Sequence, residues 1–267
     1  MKKIVAAILV LMMALTGIAF AEDNSVAYIQ EKGTFILGLD DSFPPMGFRD
    51  ENNEIVGFDF DVAKVVAEKL GVEFIAQPIA WDAKELELNS MNIDCIWNGM
   101  SITPDRQESM AMTWPYLNNA FTFFVRKDSD IATLEDLAGK VVAVQNGSTA
   151  EELITGEYAD LAATFADSSY LGYDEYLTAF MDLQAGGCDA VLVDAVVGEY
   201  RINTMGADNL KAGPPLADDL YGVGFRKEDV ALRDKVQDIL IDLKADGTLA
   251  DICAKWFSAD IALVPEK

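Results

Sequence analysis

The feature that most constrains this chain is an alternation of short apolar strands and amphipathic helices that runs once, is interrupted by a long aromatic strand, and starts again. Such alternation specifies an α/β protein with mainly parallel sheet, because each strand-to-strand crossover is made by a helix. In the first run, residues 34–39 read as a strand that ends at Asp40-Asp41-Ser42-Phe43-Pro44-Pro45, whose prolines forbid helix. Asp59 is expected to cap a helix in which Phe60, Ala63, Val66, Ala67 and Leu70 recur at helical spacing before Gly71 stops it. Strand 72–78, a helix after Trp81-Asp82, and a buried strand 93–97 running into Asn98-Gly99-Met100-Ser101 complete that run.

Residues 116–125 are aromatic and β-branched and suit a strand that leaves one lobe for another. The pattern then repeats. Thr133 and Asp136 resemble a capping box, strand 141–145 leads to Asn146-Gly147-Ser148-Thr149 and a helix, residues 173–183 are amphipathic, and strand 190–193 ends at Asp194 before a helix over 196–203. An apolar strand 221–225 is placed to cross back, and helices 229–244 and 249–256 close the chain. The implied organisation is a lobe made of 22–117 and 221–267 and a second lobe of 118–220, with strand ends facing each other across a groove. Ligands of open α/β sheets bind at those carboxyl ends.

The first 21 residues are set apart as an export signal: Lys2 and Lys3 precede an apolar run, and Ala19-Phe20-Ala21 supplies small residues for cleavage. No cysteine lies near that point, so a lipid anchor is not expected. Composition narrows the chemistry further. Histidine is absent, which removes Ser-His-Asp and Cys-His nucleophile systems and the commonest transition-metal ligand. Cys95, Cys188 and Cys253 stand far apart in apolar contexts without C-x-x-C spacing, so buried free thiols are expected and neither a metal site nor a cofactor is. A formal net charge of −25 repels nucleic acid and anionic headgroups.

Candidate ligand groups cluster at the strand ends. Thr103-Pro104-Asp105-Arg106 is a helix start that brings a guanidinium beside free backbone N–H groups, a combination that prefers a carboxylate; an ordinary cap with a surface arginine is the plainer alternative. Gly147-Ser148-Thr149 is a second anion-friendly turn or a plain N-cap. Asp194 is either an N-cap or the partner of a cation. Arg106 and Asp194 together complement an α-amino acid zwitterion. Phe43 and Trp81 offer aromatic faces or core packing, and Asp40 an acceptor.

The motifs DDSFPPMGF at 40–48, VGFDFDVA at 56–63, IDCIWNGMSITPDR at 93–106, VVAVQNGST at 141–149, GCDAVLVD at 187–194 and KADGTLADICAKWF at 244–257 make the chain resemble the polar amino acid-binding proteins of bacterial ABC uptake systems. That resemblance implies a two-lobed periplasmic-binding-protein type II fold with two hinge strands, a periplasmic monomer, a free amino acid as ligand and a membrane permease as partner. It implies that Arg106 grips the α-carboxylate with help from Ser148 and Thr149, and that Asp194, Ser101 and the Gly99 carbonyl take the α-ammonium, with Met100 completing that segment. Phe43 and Trp81 would flank the side chain while Asp40 and Gln145 choose it. Trp97-Asn98, the stretch 110–114 and the neutral Gln145 depart from the family pattern; Asp40 suits a neutral amide as well as a cation and Gln145 offers both a donor and an acceptor, which puts a polar uncharged ligand such as glutamine or cystine ahead of cationic ones. An enzyme on the same scaffold, such as a dehydratase of a cyclic dienyl acid, would instead want an acid of raised pKa and no ammonium anchor.

Overall fold

The computed structural model describes residues 23–257 and 261–265; the expected export signal lies outside them. Helix α1 (Ser25–Lys32) ends on Gly33, whose positive φ of 75° lets its N–H close on the Ile29 carbonyl. Strand β1 (Thr34–Leu39) follows, and β2 (Ser42–Phe43), β3 (Gly47–Arg49) and β4 (Ile55–Val56) form a small antiparallel sheet beside it. Helix α2 (Phe58–Leu70) buries Phe58, Val62, Ala63, Val66, Ala67 and Leu70 on one face and stops at Gly71. Its N-cap is Gly57, not the expected Asp59. Asp59 is drawn inward instead, because its carboxyl accepts the Gly99 N–H at 2.7 Å and the Tyr116 hydroxyl at 2.8 Å.

Strand β5 (Glu73–Pro78) lies parallel to β1; a 3₁₀ turn Trp81–Ala83 then leads into α3 (Lys84–Asn89) and the wholly buried β6 (Cys95–Ser101), which pairs with β1 on its other side. Helix α4 (Pro104–Ser109) and β7 (Met110–Met112) precede β8 (Leu117–Arg126), where Phe121, Phe123 and Val125 face one core cluster and Phe124 the other, as strand alternation requires. The Thr133–Asp136 signal yields only a 3₁₀ turn, Glu135–Leu137. Asp136 reaches back to the N–H groups of Ala132 and Thr133 and to the Thr133 hydroxyl.

The second run contains β9 (Val142–Gln145), α5 (Thr149–Thr155), α6 (Ala159–Ala162), β10 (Leu171–Tyr173), α7 (Tyr176–Ala185), β11 (Ala190–Asp194) and α8 (Ala195–Asn203). Strand β12 spans Leu210–Arg226 and so begins well before the expected Tyr221. It tolerates Pro214 and Pro215 because its ladder with β8 shifts register on either side of Pro215, so that no regular run of ladder N–H groups is demanded there. Helices α9 (Val230–Ala245) and α10 (Thr248–Phe257) pack back on α2.

All the strands except β2 to β4 form one sheet in the order β10-β9-β11-β8-β12-β6-β1-β5, with β7 added on β12. The outer strands pair in parallel within each run, and the antiparallel β8 and β12 join the two runs in the middle. Cys95 and Cys188 are buried free thiols, and Cys253 is buried as well. Among the described residues no helix is long and apolar enough to cross a membrane.

Candidate functional site

The carboxyl ends of β1, β6, β9 and β11 converge on a cavity of about 310 Å³. Its walls include Asp40, Phe43, Trp81, Gly99, Ser101 and Arg106 from the first run, and Gln145, Ser148, Thr149 and Asp194 from the second. Met100, expected among the ligand groups, is a correction: it is fully buried in a core cluster with Ile96, Met110 and Met112, away from the cavity its neighbours line. Asn98, Phe121 and Tyr176 also line the cavity and were not singled out from the sequence. Phe121 sits in the aromatic crossover strand and Tyr176 starts a helix soon after a strand end, so position along the chain was a usable signal for both.

Arg106 is held by its own helix start. Thr103 caps α4 by accepting the Arg106 N–H at 3.3 Å, and Pro104 occupies the first turn. The guanidinium is buried; Nη1 donates to the Ser101 carbonyl at 3.1 Å and Nη2 to Glu152 Oε1 at 3.0 Å, while Nε has no hydrogen-bond partner. Glu152 belongs to α5, so this ion pair joins the two runs beside the cavity. So does Lys84, whose ammonium donates to the Gly147 carbonyl at 2.8 Å and stands 5.2 Å over the Trp81 ring; burial, then the neighbouring Arg106, push its pKa down to about 8. Gly147 itself has φ 68°, and a Cβ there would come within 2.8 Å of the Asp82 Cα, so the turn seats against the opposite wall only as glycine.

Ser148 fills the plainer of its two readings. It caps α5, accepting the Glu151 N–H at 3.2 Å and donating to the Gln145 carbonyl at 2.7 Å. Asp194 does the reverse. It stands at the N-cap position of α8 without making a side-chain cap, and its Oδ1 accepts from Asn119 Nδ2 at 2.6 Å and from the Tyr221 hydroxyl at 2.6 Å. Burial, reinforced by the charge of Asp219, raises its pKa to about 7. The Ser101 hydroxyl donates to Asp219 at 2.9 Å, and the Asn119 amide bridges Asp219 to Asp194. Asp40 is buried with its pKa raised by that burial, and accepts from the Ser42 N–H and hydroxyl and from Gln145 Nε2 at 2.7 Å. Phe43 packs 5.8 Å from Tyr176 across the same gap. The result is a cavity lined by aromatic and polar side chains, with a guanidinium from one run and a carboxyl from the other.

Residues 35–259 match the family model of bacterial extracellular solute-binding proteins, family 3. The L-cystine-binding protein TcyJ of Escherichia coli (strain K12) is 29% identical over 91% of this chain and 90% of its own length. ABC transporter arginine-binding protein 1 of the same strain is 32% identical, over 83% and 89%. Among solved structures, a histidine-bound substrate-binding protein of an ABC uptake transporter from Streptococcus pneumoniae superimposes with a TM-score of 0.87 at 33% identity, covering 91% of this chain and 99% of that one. The fold is thus the two-lobed type II periplasmic-binding-protein architecture, with β8 and β12 as its two hinge crossovers. Because the family match runs from β1 to beyond α10 and takes in both walls of the cavity, the chain belongs to the bacterial extracellular solute-binding proteins of family 3.

Proposed function

We propose that this protein captures one free amino acid between its lobes outside the cytoplasm and delivers it to the permease of an ABC importer. The observation that carries this reading is the pair formed across one cavity by Arg106, with its unpartnered Nε, and Asp194. A zwitterion places its carboxylate on the first and its ammonium on the second. The names of the relatives, which bind cystine, arginine and histidine, support the ligand class.

The lobes are 22–117 with 221–267, and 118–220; the pairing of Leu117 with Tyr221 and of Asn118 with Leu220 supports this division. Ligand binding favours the closed arrangement because the two anchors belong to different lobes. The ligand side chain is polar and uncharged, such as that of glutamine or cystine, with cationic side chains next. This ranking is supported by Asp40, whose two oxygens are already engaged by Ser42 and Gln145. The first 21 residues direct export to the periplasm, where the protein works as a monomer.

The test is calorimetric titration of the mature protein, unfolded and refolded to strip carried-over ligand, against the standard amino acids plus cystine and ornithine. One-to-one binding of one or a few, lost in Arg106→Ala and Asp194→Ala, is the expected result. A folded protein that binds none of them sinks the proposal. The alternative of a cleft enzyme such as a cyclohexadienyl dehydratase draws on the raised pKa of Asp194. It requires binding of cyclic dienyl acids that lack an amino group and formation of a product, which chromatography of the same mixtures detects.

A further inference from the structure

Arg201, on α8, is a buried charged group whose side chain has no hydrogen-bond or ion-pair partner among the described residues. Its side chain is 7% exposed, its Nε is buried without a hydrogen-bond partner, and no ion pair among the described residues reaches its guanidinium. One face is covered by the Phe180 ring, whose centroid lies 4.8 Å from the guanidinium carbon, which leaves the edge of the fork to bind in the plane of the group. Asp40 exerts a favourable charge on it, yet that carboxyl is committed to Ser42 and Gln145. A buried guanidinium without an oxygen acceptor is costly, and a planar oxyanion is the group that matches its fork.

The edge of Arg201 lines a groove of about 630 Å³ that is separate from the amino acid cavity. Pro44, Phe48 and Arg49 form one side, and Leu177 and Met205 the other. Of the remaining charges, Arg49 and Asp41 neutralise each other in an ion pair of 2.5 Å. Glu175 also borders the groove, on the residue before α7. The walls therefore offer one unpaired buried cation, one acid at Glu175 and a set of apolar side chains, and they come from both lobes.

We propose that this groove is a second binding site, for a small organic carboxylate with a short apolar tail, its oxygens on Arg201 and its tail on Leu177, Met205 and Phe48. Since the two sides belong to different lobes, an occupant bridges them and favours the closed form. By linkage it then raises the affinity of the main cleft for its own ligand.

The test uses sodium butyrate as probe and sodium chloride at equal ionic strength as control. Saturation-transfer NMR reads butyrate binding directly and independently of any cleft ligand, so this proposal can fail while the amino acid reading stands, and the reverse. Wild type is expected to bind butyrate saturably and, with butyrate present, to bind its cleft ligand at least about threefold more tightly. Arg201→Gln removes the fork. Leu177→Glu, at a side chain already 40% exposed, places a repelling charge in the groove without disturbing the core. Both variants are expected to lose the butyrate signal and to keep cleft binding. Absence of saturable binding to wild type, or its persistence in folded Arg201→Gln and Leu177→Glu, overturns the site. Binding with unchanged cleft affinity overturns its role as a clamp.

Discussion

Arg106 and Asp194 stand on opposite walls of one cavity and are secured in opposite ways. Asp194 is fixed by Asn119 on β8 and Tyr221 on β12, so the negative anchor is tied to the two hinge strands themselves. Arg106 rests on its own lobe through Ser101 and reaches across to Glu152 on the other lobe. The acceptor proposed for an ammonium is thus tied to the hinge strands, while the guanidinium proposed for a carboxylate is held by contacts from both runs. On the proposed function, closure and carboxylate recognition form one event, whereas the ammonium site is prepared beforehand.

The largest effect expected from this difference is at Arg106. Arg106→Ala leaves a ligand carboxylate buried without its cation and removes an inter-lobe ion pair, a loss on the order of 3–5 kcal/mol in binding. Calorimetry would show a fall of roughly a hundredfold to several thousandfold in affinity. Arg106→Lys should recover only part of it, because one ammonium cannot serve Ser101, Glu152 and the ligand together. Full recovery by lysine would mean that charge alone matters and that the fork geometry is incidental.

Asp194→Asn comes next. The amide keeps an acceptor for Asn119 and Tyr221 but withdraws the charge from the ligand ammonium, at a cost of about 1.5–3 kcal/mol in binding. Because the anchor is held by the hinge, the fold should survive, with the variant's melting temperature close to that of wild type. A substitution that instead unfolds the protein would show Asp194 to be a structural acid.

The same carboxyl makes opposite predictions for binding and for stability as pH changes. With its pKa at about 7 in the ligand-free protein, Asp194 is increasingly protonated as pH falls below that value, so affinity should drop by up to about tenfold per unit. Stability moves the other way. A carboxyl raised from 3.8 in the unfolded chain contributes stability that is full below the unfolded value and is lost as pH rises through 7; Asp59, also raised to about 7 by burial, adds in the same direction. Ligand affinity measured at pH 5.5 and 7.5 should therefore rise between the two in wild type and change far less in Asp194→Asn. Equal slopes for the two proteins would remove Asp194 from the ammonium site.

How far the sequence reaches differs between elements for physical reasons. Strand β1 and the helix stop at Gly71 follow from local apolar runs and punctuation, and the structure places them within a residue of expectation. Asp59 does not, because an acid just inside a helix start looks like a cap until a distant N–H, that of Gly99, and a distant hydroxyl, that of Tyr116, claim it. The first half of β12 is hidden by Pro214 and Pro215, which only a ladder with shifted register can absorb. In the cavity, residues at strand ends are legible from position; Met100 is not, since whether a strand residue faces the cavity or the core depends on the backbone at Gly99, which has φ 60° and where a Cβ would meet the Phe43 and Tyr221 rings. The wiring of Asp194 to Asn119 and Asp219 is invisible in sequence because it joins residues brought together by the hinge ladder alone.

The smallest expected effect lies at Glu152, and it sharpens the contrast between the anchors most. Its side chain is about half exposed, so the ion pair with Arg106 is screened and worth no more than about 1 kcal/mol. Two effects of Glu152→Gln oppose each other: the closed form loses an inter-lobe attraction, and Arg106 loses a carboxylate that competes with the ligand's own. The geometry favours the first. Arg106 lines the cavity and its Nε has no partner while Glu152 is engaged, so one donor remains for a ligand carboxylate without displacing that pair. Glu152→Gln should thus weaken binding by about two- to fivefold, with the change in the dissociation rate, as expected for a latch that acts after the ligand has entered. Tighter binding in the variant would reverse the assignment and make Glu152 a stand-in for the ligand, holding Arg106 in the empty protein.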